Sequence, residues 1–188
     1  MTLSDIRIST DRLIIRAFAP DDFASYFGYH QLPEVYRYLY QEPLDETAAR
    51  TKFAKASAPK LVDDGDVAVF AVERRDDGAL IGEVLLKLAS GAAEQAETGY
   101  IFDPAFAGKG YATEAMRATL DLGFSTLNFH RIFARLDALN KGSVGVVERL
   151  GMRREAHLIE NDRFNDVWGD EYVYALLKRE WQERRQAG

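Results

Sequence analysis

Two short stretches of this 188-residue chain carry residue types at spacings that can do chemistry. The first is Gly108-Lys109-Gly110-Tyr111-Ala112-Thr113, where two glycines open the backbone at the point a long helix begins. Amide N–H groups bared by such a turn, together with the positive end of the helix dipole, suit an anion such as a pyrophosphate. A strand-to-helix turn that binds nothing has the same pattern, and the tripeptide alone leaves both readings open. A dinucleotide fingerprint would need a third glycine, and a P-loop would need Gly-Lys-Ser/Thr after the turn; neither is present. The second stretch, Asn140-Lys141-Gly142-Ser143, places an Asn at the N-cap of a helix and a Ser at its third position. The Ser hydroxyl can donate a hydrogen bond and shuttle a proton.

The elements that must position these residues are legible from periodicity. Leu13–Phe18 reads as a strand, and Pro20-Asp21-Asp22 starts a helical region from about Asp21 to Tyr38. A second helix runs from Asp45 to about Ala56, and Pro59–Asp66 is a loop. Val67–Val72 is continuously apolar, like a strand covered on both faces; Asp76-Asp77-Gly78 turns it into Leu80–Leu88. Glu97–Phe102 is the strand that enters the glycine loop, and the helix beyond the loop reaches about Leu127, with Met116, Leu120 and Phe124 on one face. Ile132–Leu139 alternates as a strand, and the Asn140 helix ends at Leu150-Gly151. Two last strands, Met152–Leu158 and Glu171–Lys178, flank a loop containing Asn161, Asp162 and Gly169, and Lys178–Arg185 reads as a solvated tail. Three consecutive strands in hairpin order among helices predict an α/β (α+β) fold around one mixed sheet, in a single domain over residues 1–188.

Composition narrows the function. A net charge of −6 opposes sequence-independent nucleic-acid binding and mildly favours cationic partners, amines among them. With no cysteine there is no disulfide, thiolate nucleophile or cysteine zinc site, and His30, His130 and His157 lack metal-ligand spacing, so no metal is expected. His130 is expected to pack, and Tyr36, Tyr38 and Tyr40 to be half-buried on a helix rather than to line a pocket. No apolar run is long enough for a bilayer and no signal peptide is evident, so a cytoplasmic protein without a membrane partner is expected.

The glycine loop extends into a longer pattern. Ala96-Glu97-Thr98-Gly99-Tyr100 precedes it, Gly-Lys-Gly-Tyr-Ala-Thr-Glu-Ala spans 108–115, and His130-Arg131-Ile132, Asn140-x-x-Ser143, Leu150-Gly151-Met152 and Asp170 through Glu180-Trp181 follow in order. Thr10-Asp11-Arg12-Leu13 and the Val35–Tyr40 region fit its opening. This pattern, over nearly the whole chain, resembles the GNAT superfamily of acetyltransferases, and within it the ribosomal-protein N-terminal acetyltransferase branch.

The resemblance implies a twisted, mostly antiparallel sheet with a splayed central strand pair, and acetyl-CoA as co-substrate. It implies that Tyr100, Ile101 and Phe102 line the pantetheine arm through their backbone, and that Gly108, Lys109, Gly110, Tyr111, Ala112 and Thr113 surround the pyrophosphate. Asn140 and Ser143 would reach the pantetheine and thioester end. It implies Glu97 as the base that deprotonates the acceptor amine, with Asp162 as the rival, Glu160 lying close to it in sequence. Two positions depart from the family: Ala107 replaces a Gln or Arg, and Val147 replaces a tyrosine general acid, a role left to Ser143. The acceptor would be a primary amine on a protein N-terminus or a small molecule, acetylated by a monomer or homodimer. A silent acyl-CoA-binding module of the same fold is the alternative.

Overall fold

Runs of Val, Ile, Leu and Phe between turn residues build eight strands, which a computed structural model describing residues 2–187 joins into one sheet. They are β1 (Arg7–Ser9), β2 (Leu13–Arg16), β3 (Val67–Arg74), β4 (Leu80–Ser90), β5 (Gln95–Phe102), β6 (Arg131–Asp137), β7 (Arg153–Phe164) and β8 (Val167–Leu177). Their order is β1-β2-β3-β4-β5-β6-β8-β7. Every neighbouring pair is antiparallel except β5 with β6. That one parallel pair is short: Gln95, Ala96 and Glu97 face Arg131, Ile132 and Phe133, and beyond Glu97 the two strands part while β5 continues to Phe102. The splayed strand pair is present.

Helices cover both faces. α1 (Phe23–His30), α2 (Pro33–Tyr36) and α3 (Glu46–Ala56) pack on one face through Tyr26, Tyr29, Tyr36, Ala49 and Ala56. α4 (Tyr111–Asp121), α5 (Lys141–Arg149) and α6 (Lys178–Ala187) cover the other, where Met116, Leu120, Val146, Leu150 and Trp181 join the larger core. Among the described residues no helix is long and apolar enough to cross a membrane.

Several sequence expectations need correction. The helical region 21–38 is broken, because Pro33 cannot continue the ladder of α1 and instead starts α2 after an extended Leu32. The helix after the glycine loop stays α-helical only to Asp121 and then widens into a π turn over Leu122–Thr126. There Gly123 lies so close to Ile132 that a Cβ would fall 2.5 Å from its Cδ1. The late "loop" is strand: β7 and β8 form a long hairpin turned by Asn165 and Asp166, both at positive φ. The charged end is a docked helix, with the Trp181 indole buried and donating to Asp121 at 2.8 Å. β1 was not anticipated, and Leu139 lies beyond the end of β6. His130 is exposed, and the packing falls to its neighbour Phe129.

Candidate active site

The strand-to-helix turn is built as its glycines require. Gly108 and Gly110 adopt φ of +74° and +80°, and Gly110 caps α4 from the left-handed region. Among the described residues, no amide from Gly108 to Thr113 donates to a backbone carbonyl or a side chain. Six consecutive N–H groups at a helix start are thus left without a protein acceptor, the arrangement an anion site requires. Arg12 braces it from β2's side: Nη1 donates to the Lys109 carbonyl at 2.9 Å, while Nε donates to Glu114 at 2.7 Å. Glu114 also accepts from Thr10 Oγ1 at 2.6 Å and from the Arg12 amide at 2.9 Å. Burial alone would raise the Glu114 carboxyl, but these hydrogen bonds outweigh it and hold the group below its ordinary value. Tyr111 is buried beneath the Arg12 guanidinium, Ala112 is half-buried, and Thr113 Oγ1 accepts from Arg149 Nε at 3.3 Å.

Where β5 leaves β6, a cavity of about 610 Å³ opens towards α1–α3. Tyr100, Ile101, Asn140, Ser143 and Glu97 all line it. The Asn140 side chain accepts from the Ser143 amide at 3.1 Å, so it caps α5 as expected. Tyr100 reaches further than its backbone: its Oη lies 3.0 Å from Ser143 Oγ. Burial pushes the Tyr100 phenol up, against the smaller opposing effects of Ser143 and Arg149, so it stays protonated, and either hydroxyl of the pair can donate to the other. Glu97 lies 3.5 Å from Lys87, its cross-strand partner. Phe102 packs edge-on against Tyr100, with centroids 5.8 Å apart. Asp162 is exposed on β7, paired with Gly169 of β8, and is not among the cavity's lining residues. Glu160 is exposed as well.

The cavity also recruits residues that the sequence did not single out. Glu83 is buried, with 6% of its surface exposed, and lines the floor. Tyr29 Oη donates to its Oε2 at 3.0 Å, and His30 Nε2 lies 3.3 Å from the same oxygen. His30 Nδ1 contacts Tyr36 Oη at 2.7 Å. Burial, reinforced by the Glu83 charge, raises the phenols of Tyr26, Tyr29 and Tyr36. Tyr36 and Tyr38 face the cavity, and Tyr40 Oη donates to Asp137 at 2.5 Å. The signal for Glu83 was available: a lone carboxylate inside the apolar run Leu80–Leu88 must either pair or serve a site. The tyrosines carried no such signal, since their orientation depends on the break at Pro33. Among the described residues, no group of three or more His, Cys, Asp or Glu is placed to hold a metal.

The turn of six free amides, the split in the sheet and the cavity beside it occur in a chain whose relatives share one family. Residues 12–153 match the acetyltransferase (GNAT) domain family, and the chain belongs to it. It is 34% identical over 94% of its length to 99% of the N-acetyltransferase YnaD of Bacillus subtilis (strain 168). The solved acetyltransferase of the GNAT family from Bacillus anthracis superposes with a TM-score of 0.84 at 31% identity, over 93% of this chain and all of that one. Spermidine N-acetyltransferase from Vibrio cholerae, solved with CoA and spermine, gives a TM-score of 0.79 at 25% identity, over 92% of this chain and 99% of that one. The chain is thus an N-acetyltransferase by family.

Proposed function

We propose that the chain moves the acetyl group of acetyl-CoA onto a primary amine, of a protein N-terminus or a small molecule, within one domain spanning residues 1–188. One observation carries this reading: α4, at whose start the six free amides lie, also reaches with Met116 the cavity at the gap after Glu97, which is lined by that carboxylate and by the paired Ser143 and Tyr100 hydroxyls. The cradle of Gly108–Thr113 fits a pyrophosphate in charge and donor count. The freed edge of β5 at Tyr100–Phe102, with Asn140, would hold the pantetheine arm, and its N–H groups would meet the oxyanion.

An alkyl ammonium, with pKa in the range ~8 to ~10, must lose a proton before it can attack. Glu97 accepts that proton, directly or through water. The nitrogen lone pair then forms the C–N bond and the C–S bond breaks. The second proton, shed by the acylated nitrogen, passes through the Ser143–Tyr100 hydroxyl pair to the departing thiolate. The Vibrio cholerae relative supports an amine as acceptor.

Thiol release by the purified protein from acetyl-CoA, followed against pH with a panel of amines, tests both reaction and base. Glu97→Gln should lower kcat about 100-fold at pH 7, and the loss should narrow as pH rises and the free amine deprotonates in solution. Asp162→Asn should stay within about twofold of the parent, as an exposed residue outside the site does. An unchanged profile for Glu97→Gln would move the base to Asp162, and release by no amine would defeat the transferase reading.

A further inference from the structure

The charges that line the cavity are sorted, and the sorting names the acceptor. Most are already partnered. Glu97 pairs with Lys87, Arg135 with Glu171, and Asp137 accepts from Tyr40 Oη and from the Leu139 amide. Glu83 is different. Both of its internal contacts, from Tyr29 and His30, converge on Oε2. Among the described residues no side-chain nitrogen or oxygen is both buried and without a partner. Oε1 has no partner among the described residues and is therefore not fully buried, on a residue that lines the cavity.

Register places Glu83 beside the splayed edge of β5. Glu83 faces Ile101 across β4 and β5, two residues from Gly99 on the splayed edge. Tyr26 and Tyr36 flank the same floor, giving an aromatic surround to a carboxylate. The solvent end has the opposite sign. Lys52 and Lys55, one turn apart on α3, are exposed and line the cavity. Lys52 Nζ donates to Gln41 at 3.1 Å and lies 5.9 Å from the centroid of the Tyr36 ring, and neither lysine makes an ion pair among the described residues.

We infer that Glu83 Oε1 receives the acceptor nitrogen, and that Lys52 and Lys55 receive an anionic group at the acceptor's far end. This rests on the amine-acetylating reading above. A neutral amine N–H donates to Oε1 as an ammonium does, which turns the nitrogen lone pair towards the β5 edge. The acceptor class is a small primary amine with a remote carboxylate or phosphate. A polyamine would bring its second cation against two lysines.

Three probes decide it: 6-aminohexanoate, pentylamine and spermidine, with thiol release from acetyl-CoA as the readout. The expected order of kcat/KM is 6-aminohexanoate, pentylamine, spermidine, with about tenfold between the ends for one attractive and one repulsive charge contact. Glu83→Gln should raise KM for both of the first two about tenfold and leave KM for acetyl-CoA unchanged. A merely structural role for Glu83 would disturb both substrates, or would be reproduced by Tyr29→Phe, which removes a donor to Oε2 without touching Oε1. The Lys52→Glu/Lys55→Glu double variant should invert the order. Spermidine as the preferred probe, or an order the double variant does not move, overturns the inference. Release with none of the three overturns the small-amine class. The transferase reading then stands or falls separately, on whether acetyl-CoA raises the melting temperature more than adenosine diphosphate does.

Discussion

A serine and a tyrosine hydroxyl meet at the mouth of the β5–β6 gap. Val147 follows Ser143 by one turn of α5 and is buried, so it offers no hydroxyl. Tyr100 reaches the same turn from β5, and its Oη lies 3.0 Å from Ser143 Oγ. The phenol is raised by burial and stays protonated through neutral pH, so the pair can donate one hydrogen bond outward while keeping another between its members. A thiolate of reference pKa about 8.5 needs only modest help to leave. Ser143→Ala and Tyr100→Phe should each lower kcat about tenfold, and the double variant no more than either single one, because the two act as a unit. Single-turnover rates at saturating acetyl-CoA check this. Losses that multiply would mean two independent contacts.

At the scale of the element, the cradle depends on what holds the start of α4. Glu114 lies in the first turn of that helix and ties it to β2 through Thr10 and Arg12. Its carboxyl is held below the ordinary 4.5, so its stabilisation is fully present above that value and is lost as pH falls through the depressed folded value. Glu114→Gln should therefore cost about 1–2 kcal/mol at pH 7 and almost nothing once the parent carboxyl is protonated. It should raise KM for acetyl-CoA at neutral pH, because the Lys109 carbonyl loses its brace. Urea unfolding at several pH values measures the first effect, and a gap that persists in acid would show that the carboxylate charge is not its source. The turn itself was legible because glycines at positive φ leave a mark in sequence, as does the Asn140 cap. The brace was not legible, since Thr10 and Arg12 lie about a hundred residues from Glu114 and only the packing of α4 against β2 brings them together. The β7–β8 hairpin was missed for another reason. β7 is an edge strand exposed along most of its length and bulged near Glu160, so it lacks the alternation that identifies a half-buried strand.

Across the whole molecule the sheet separates two cores with different duties. The larger one packs α4, α5 and α6 beneath β2–β6 and β8, and Trp181 closes it with its ring tilted beside Phe124 and its indole N–H donating to Asp121. The smaller one is an aromatic cluster in which Phe53 of α3 meets Phe18, Phe23 and Tyr26. The cavity opens on that smaller side, and α3 carries both Lys52 and Lys55. Stability and acceptor handling should thus separate by face. Trp181→Ala removes a fully packed indole and its hydrogen bond, and should cost about 3–5 kcal/mol. It should leave KM for acceptor and acetyl-CoA unchanged at temperatures where the variant is folded. Phe53 is only half-buried, so Phe53→Ala should cost less, roughly 1–3 kcal/mol. Yet it frees α3 to shift against the sheet, so the acceptor KM should rise while KM for acetyl-CoA holds. Paired denaturation and steady-state measurements on the two variants decide the matter. If Trp181→Ala moved the acceptor KM more than Phe53→Ala did, the two faces would be energetically one, and the division of labour across the sheet would not hold.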